Sequence, residues 1–411
     1  MFSETLAATA YSYLKTMNQM EIQKKKTEII SAVNRLKKDL ITLSHNIHKN
    51  PELGFNEFKA SKWLTDFLKK NGFDVKTGVG YLKTAFVAQF PKGPKKRPSI
   101  AFVAEYDALP DIGHGCGHNI IGSASCGAAA ALAKVLKNNS GKFLVVGTPA
   151  EEGGGGKLPL IKSGIFDGVD AAMMIHPDIK TKVRANFLAN VQVRFKFYGK
   201  TAHAAASPFL GKNALDAVIL TFNNINALRQ QLPSDVRIHG IIPDGGKRPN
   251  IIPAFASCWF YVRTKDKDYL PALLKKVKRC AQAGATATGC RIEIEGDDNV
   301  YYPMKHNNAF EDIFRSNLKF LNIEESLAEE RGTGSSDIGN LSQVIPTIHP
   351  NIKICNSHPP THSKEFAQVA ISPLADKGLI SGAKALALTG LDLFLDPKKL
   401  KNVEKEFLER K

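Results

Sequence analysis

The stretch Phe143-Leu144-Val145-Val146, continuing through Thr148-Pro149-Ala150-Glu151-Glu152-Gly153-Gly154-Gly155-Gly156, decides how this chain is read. Strand-forming residues stop at two adjacent carboxylates and a glycine run, so any chemistry sits at a strand end. Neighbouring side chains on extended backbone point in opposite directions, and one carboxylate could hold a metal while the other reaches an attacking water. Taken alone, the pair reads more readily as an acidic turn before a glycine loop, and three other segments overturn that reading. The glycines from Gly153 to Gly156 are expected to be either mobile or packed tightly on backbone.

Three further segments add donors. Ile100-Ala101-Phe102-Val103-Ala104 leads through Glu105-Tyr106-Asp107-Ala108-Leu109-Pro110 into Gly113-His114-Gly115-Cys116-Gly117-His118-Asn119. A thiolate and an imidazole two residues apart suit zinc or a similar divalent ion, and the glycines clear side-chain bulk from around them. His176 follows the expected strand Ala171-Ala172-Met173-Met174-Ile175. His362 stands in Pro359-Pro360-Thr361-His362-Ser363, with His358 as a nearby competitor. Each is ambiguous by itself, as a structural cysteine or histidine. Together Cys116, His118, Glu152, His176 and His362 supply donors for two metals, with Glu151 left over as a base.

Periodicity sets the rest of the organisation. An amphipathic helix is expected from about Glu21 to Lys49 and a second around Glu57 to Asn71. Short apolar strands then alternate with helices to about Ala189, which argues an α/β fold whose sheet carries helices on both faces. Val191-Gln192-Val193-Arg194-Phe195-Lys196-Phe197 alternates with period two and reads as a half-exposed strand. The pattern turns helical across Asn213-Ala214-Leu215-Asp216-Ala217-Val218-Ile219-Leu220. A smaller α+β domain is expected over 190–300, two helices on a small sheet, leaving 1–189 and 301–411 as a discontinuous catalytic domain.

A chain of 411 residues that is 43% hydrophobic can build two domains with proper cores. Its six cysteines form no paired framework, which favours a reducing, cytoplasmic setting. The first twenty residues carry Glu4 and no basic residue before Lys15, against a secretory signal, and no apolar run is expected to reach membrane-spanning length. The formal net charge is +17, with basic runs at Lys24-Lys25-Lys26, Lys95-Lys96-Arg97 and Lys398 to Lys401. These runs lack interleaved aromatics, so a solvated basic surface is preferred over nucleic-acid binding.

The motifs Asn50-Pro51-Glu52-Leu53-Gly54-Phe55, Tyr106-Asp107-Ala108-Leu109-Pro110, His114-Gly115-Cys116-Gly117-His118, Ala150-Glu151-Glu152-Gly153, Gly199-Lys200-Thr201-Ala202-His203 and Thr361-His362-Ser363 occur in an order that resembles the aminoacylase and glutamate-carboxypeptidase metallopeptidases, in their amidohydrolase branch. The resemblance runs from about residue 28 to about 395. It implies a two-domain di-metal exopeptidase fold, with a mixed central sheet flanked by helices and a smaller lid domain that also makes a homodimer. It further implies two divalent ions, Zn2+ or Mn2+, with Cys116 bridging and His118, Glu152, His176 and His362 completing the shells. Glu151 would be the general base, and Asp107 would orient a ligand histidine.

By the same resemblance His203 would stabilise the developing oxyanion, the alternative being a histidine that caps its turn. Asn250 and Arg263 would clamp the substrate's carboxylate, for which a planar guanidinium is suited, although Arg263 also reads as a strand surface charge. Hinge closure between the domains would assemble the site. Gly334-Ser335-Ser336-Asp337-Ile338-Gly339 departs from the wording typical of plant auxin-conjugate hydrolases and is similar to dipeptidases of unusual dipeptides and to aminobenzoyl-glutamate hydrolase subunits. The expected activity is hydrolysis of a small dipeptide or N-acyl amino acid with a free carboxylate. The alternative is an inactive homologue that binds nucleic acid.

Overall fold

The computed structural model describes residues 2–94, 97–137, 141–327 and 334–410, with the backbone alone for residues 2–19. They form two compact units, one from Met1–Ala185, Met304–Glu330 and Asn340–Lys411, the other from Asn186–Pro303 and Arg331–Gly339. The lysines Lys95 and Lys96 of the second basic run lie outside the described residues.

The first unit opens with helix α1 (Phe2–Lys49), which starts well before the expected Glu21 because no proline or glycine interrupts the chain until Pro51. Ile29, Val33, Leu36, Leu40, Leu43 and Ile47 recur at three- and four-residue steps and are all buried. Then come α2 (Phe58–Lys70), β1 (Asp74–Thr77), β2 (Phe86–Phe90), β3 (Ser99–Ala104), α3 (His118–Val135), β4 (Lys142–Gly147), α4 (Lys157–Lys162), β5 (Ala171–Met173) and β6 (His176–Asp178).

The second unit contains β7 (Ala189–Tyr198), α5 (Ala214–Leu228), β8 (Arg237–Asp244), β9 (Phe255–Thr264), α6 (Leu270–Thr288), β10 (Arg291–Glu295) and β11 (Val300–Tyr301). The period-two pattern of β7 buries Val191, Val193, Phe195 and Phe197 in a core shared with Val218 and Ile225 of α5 and Leu273 and Val277 of α6. Its antiparallel sheet runs β10-β7-β9-β8. Helix α5 begins where Asn213 Oδ1 accepts the Leu215 N–H at 3.0 Å, a side-chain cap that meets one of the first turn's orphan donors.

The chain then adds α7 (Asn308–Phe320), α8 (Ile338–Val344), β12 (Thr347–Ile348), β13 (Asn351–Lys353), α9 (Lys364–Val369), α10 (Pro373–Leu395) and α11 (Pro397–Glu409). The first unit's main sheet has the order β1-β2-β4-β3-β5-β12 and is mixed: β4, β3, β5 and β12 are parallel neighbours, whereas β1 and β2 pair antiparallel. Every residue of β3 and β4 is buried, as expected of parallel strands whose two faces are both covered.

One expectation is corrected by α10. Among the described residues it is the one helix long and apolar enough, by length and composition, to cross a membrane, and 78% of its apolar window is buried. It packs against α1, α3 and α7, so its apolar residues have to surround the helix rather than form one stripe. The first basic run is also not wholly a solvated surface. Lys26 is buried and donates to Asn317 Oδ1 at 2.7 Å and Asp392 Oδ2 at 3.0 Å, while Lys25 pairs with Glu28. Arg97 pairs with Asp170 and Glu404, and Lys399 with Asp392.

Candidate metal centre

Parallel strands bring their carboxyl ends to one edge of a sheet, and here each of those ends carries a charged or metal-capable residue. Glu105 and Asp107 follow β3, Glu151 and Glu152 follow β4, His176 follows β5, and His349 follows β12. The loop from Gly113 delivers Cys116 and then His118, the first residue of α3. Gly117 makes that delivery possible: its φ is +75°, and a Cβ there would lie 2.5 Å from Pro177 Cγ. Within the glycine run after Glu152, Gly156 is packed tightly on backbone, where a Cβ would meet Pro149 O at 1.9 Å, whereas a Cβ on Gly153 would meet nothing within 4 Å.

The proposed donors converge. Cys116 Sγ lies 3.4 Å from His176 Nε2. His118 Nε2 stands 4.0 Å from Glu151 Oε2 and 3.9 Å from Glu152 Oε1, and His362 Nε2 is 3.5 Å from Glu152 Oε2. Three overlapping clusters result, Cys116 with His118 and His176, Cys116 with Glu152 and His362, and His118 with Glu151 and Glu152, each with its ligand atoms within 4.8 Å of one another. His358 is exposed and belongs to none of these clusters.

Hydrogen bonds set the rings. Asp107, itself buried, bonds His118 Nδ1 through Oδ1 at 2.9 Å and accepts the Glu152 backbone N–H through Oδ2 at 3.0 Å. One carboxylate thus aims two ligands. His176 Nδ1 bonds Pro177 O at 2.8 Å, which makes Nδ1 the donor and leaves the Nε2 lone pair facing Cys116.

The same residues fit a divalent ion pair. His118 Nε2 and Glu152 Oε1 are buried with no hydrogen-bond partner, a costly state for polar atoms unless something else meets them. Burial opposes a charge on His118, yet the Asp107 carboxylate and the contact with Cys116 outweigh it and raise its pKa well above the ordinary value. Burial likewise pushes the Cys116 thiol up, reinforced by the Glu152 charge. Burial alone would raise Asp107, but the His118 charge and hydrogen bond hold it below the usual range. The cluster attracts positive charge, which is what bound cations would bring.

The remaining predicted residues belong to the second unit. His203 is exposed, and its Nδ1 accepts the backbone N–H groups of Ala205 at 3.2 Å and Ala206 at 3.1 Å. It therefore caps its turn, and the same bonds put the ring proton on Nε2. Asn250 is exposed on the loop whose carbonyl at that residue accepts the Ala204 N–H at 3.0 Å. Arg263 is half-buried rather than a plain surface charge: Nη1 donates to Ser335 Oγ at 3.3 Å, the guanidinium lies 5.3 Å from the Tyr261 ring centroid, and Nε is buried with no hydrogen-bond partner.

Sequence reasoning missed four residues around the centre. Lys157 and Glu105 form a buried ion pair at 2.5 Å. The ring of His349 lies 5.3 Å from that of His176. Glu57 Oε1 accepts the N–H of Ala150, whose φ of +57° turns the chain into Glu151. Only Glu105 had a visible signal, an acid two residues before Asp107 at the end of an apolar strand.

The pattern of peptidase family M20/M25/M40 matches residues 101–373. The chain is 37% identical over 408 residues to the Xaa-Arg dipeptidase of Mus musculus, covering 95% of this chain and 94% of that protein. It is 28% identical to a p-aminobenzoyl-glutamate hydrolase subunit of Escherichia coli strain K12, over 89% of this chain and 91% of the other. In fold it is similar to a dinuclear metal binding peptidase of Bacillus subtilis, with a TM-score of 0.63 and 20% identity over 88% of this chain and 99% of that one.

Proposed function

We propose that this chain, which belongs to peptidase family M20/M25/M40 and is a metallo-amidohydrolase, cleaves the amide bond of a small dipeptide or N-acyl amino acid that keeps a free carboxylate. The observation that carries the reading is the meeting of Cys116, His118, Glu152, His176 and His362 around two orphaned buried atoms, with Glu151 beside them. The names of the relatives, a dipeptidase and an aminobenzoyl-glutamate hydrolase, support that substrate class.

Those five residues would hold two divalent ions, which would supply Lewis-acid polarisation of the scissile carbonyl and of the attacking water. The thiolate of Cys116 tilts the choice toward zinc over manganese by softness. Glu151 takes the water's proton and passes it to the leaving nitrogen. Asp107 fixes the tautomer of His118, so that Nδ1 donates and Nε2 keeps its lone pair for ligation. His203 donates from Nε2 to the developing oxyanion, a role supported by the two amides that occupy Nδ1. Arg263 and Asn250 take the substrate carboxylate, and the unpartnered Nε of Arg263 supports this.

A homodimer through the second unit is part of the proposal, supported by Ile241 and Ile242, which stand exposed on the edge strand β8. So is a reducing, cytoplasmic setting, supported by six free cysteines. The inactive nucleic-acid-binding alternative has no support from the site, where the base and all five donors are present.

The test is hydrolysis of a panel of dipeptides, N-acyl amino acids and aminobenzoyl-glutamate beside their carboxy-amidated counterparts. Cleavage of the free acids with loss of rate on the amides is expected. Equal rates on both would remove the carboxylate requirement.

A further inference from the structure

Next to the donors of the metal centre lies an ion pair to which the hydrolysis described above gives no task. Glu105 follows β3 and Lys157 opens α4, and both side chains are exposed by 1% or less. Lys157 Nζ donates to Glu105 Oε1 at 2.5 Å. The other carboxylate oxygen, Oε2, stands 3.6 Å from His118 Nε2, the ring atom that has no hydrogen-bond partner.

Building on the metal reading above, we propose that Glu105 and Lys157 are a positioning pair for the metal centre. Lys157 holds the Glu105 carboxylate near the ion that His118 binds while keeping it from becoming a ligand. Three observations carry this. An ion on an imidazole nitrogen sits about 2.1 Å from it, so an oxygen 3.6 Å from the same nitrogen needs only a small rotation to ligate. Yet Glu105 belongs to none of the clusters whose ligand atoms gather within 4.8 Å. What retains it is the ammonium on its first oxygen.

Charge gives the second argument. Glu105, Asp107, Glu151, Glu152 and a Cys116 thiolate are five negative groups packed together, and two divalent ions neutralise four of them. Lys157 supplies the fifth positive charge from a fully buried position. A buried ammonium is retained only where a partner offsets its desolvation. Holding Glu105 back also has a chemical use, because a catalytic metal needs an open position that an extra carboxylate would fill.

The experiment loads the full-length wild-type chain, Lys157→Met, Glu105→Gln and the double variant with Co2+, and follows the visible absorption and the affinity. Cobalt absorbs strongly with four or five ligands and weakly with six. Lys157→Met should bind cobalt at least about tenfold more tightly with a several-fold weaker band, and the double variant should return the wild-type band. Glu105→Gln alone should bind about tenfold more weakly. A Lys157→Met chain with the wild-type band and affinity overturns the proposal. If that variant does not fold, Glu105→Gln decides, and an affinity within about twofold of wild type overturns it. A wild-type chain that takes up no cobalt removes the metal reading and the pair's role with it.

Discussion

Replacing Asp107 by Asn keeps size and shape and should still weaken metal binding by about ten- to a hundredfold. The carboxylate does two things at once: Oδ1 meets His118 Nδ1 at 2.9 Å and Oδ2 accepts the Glu152 N–H at 3.0 Å. Both partners are donors in the ligating state. An asparagine has one acceptor oxygen, so one donor must face its NH2 group and lose its bond. If the lost bond is that of His118, the ring proton moves to Nε2 and blocks ligation. If it is that of Glu152, the backbone carrying a ligand loses its anchor. A hydrogen bond to a charged group is worth about 1.5–3 kcal/mol, which corresponds to about a ten- to hundredfold change in affinity. Calorimetric titration of the metal-free protein with zinc and with manganese measures it, beside a thermal melt to confirm folding. A folded Asp107→Asn chain with unchanged affinity for both ions would refute the claim that Asp107 aims the two ligands.

Glu151→Gln should abolish turnover and leave metal content at the wild-type level; metal loss would make Glu151 a ligand instead. His203→Ala should lower kcat with no change in metal content, and wild-type turnover would take His203 out of the mechanism. Glu57 gives a pH-dependent outcome. Burial pushes its carboxyl up from 4.5 to about 7, so between those values the folded chain keeps a proton that the unfolded chain has lost. The stability from this group is full below about pH 4.5 and is lost as pH rises to about 7, by about 3 kcal/mol. Glu57→Gln should therefore gain stability relative to wild type between about pH 5 and 8. A difference in Tm that does not vary with pH would contradict the shift.

What the sequence revealed of the site follows from where the donors lie. Glu152 and His176 each sit just beyond the end of an apolar run, so a strand end and a metal-capable side chain could be read together, whereas Cys116 and His118 were legible from their two-residue spacing among glycines. Lys157 could not be read this way, because a lysine after four glycines looks like a surface charge and only the fold shows that it is buried on Glu105. Glu57 looked like a helix start, and its bond to Ala150 spans 93 residues. In the fold, the period-two pattern of β7 and the turn to helical periodicity at Asn213 were legible because both are local. Helix α10 was not: its apolarity reflects burial by three other helices, which no local pattern records.

Metal analysis of the purified chain, coupled to amide hydrolysis with and without chelator, tests the account most directly. The prediction is close to two divalent ions per chain, with cleavage that chelator abolishes and zinc or manganese restores. A chain that binds no metal, and stays inert after either ion is added, would contradict it.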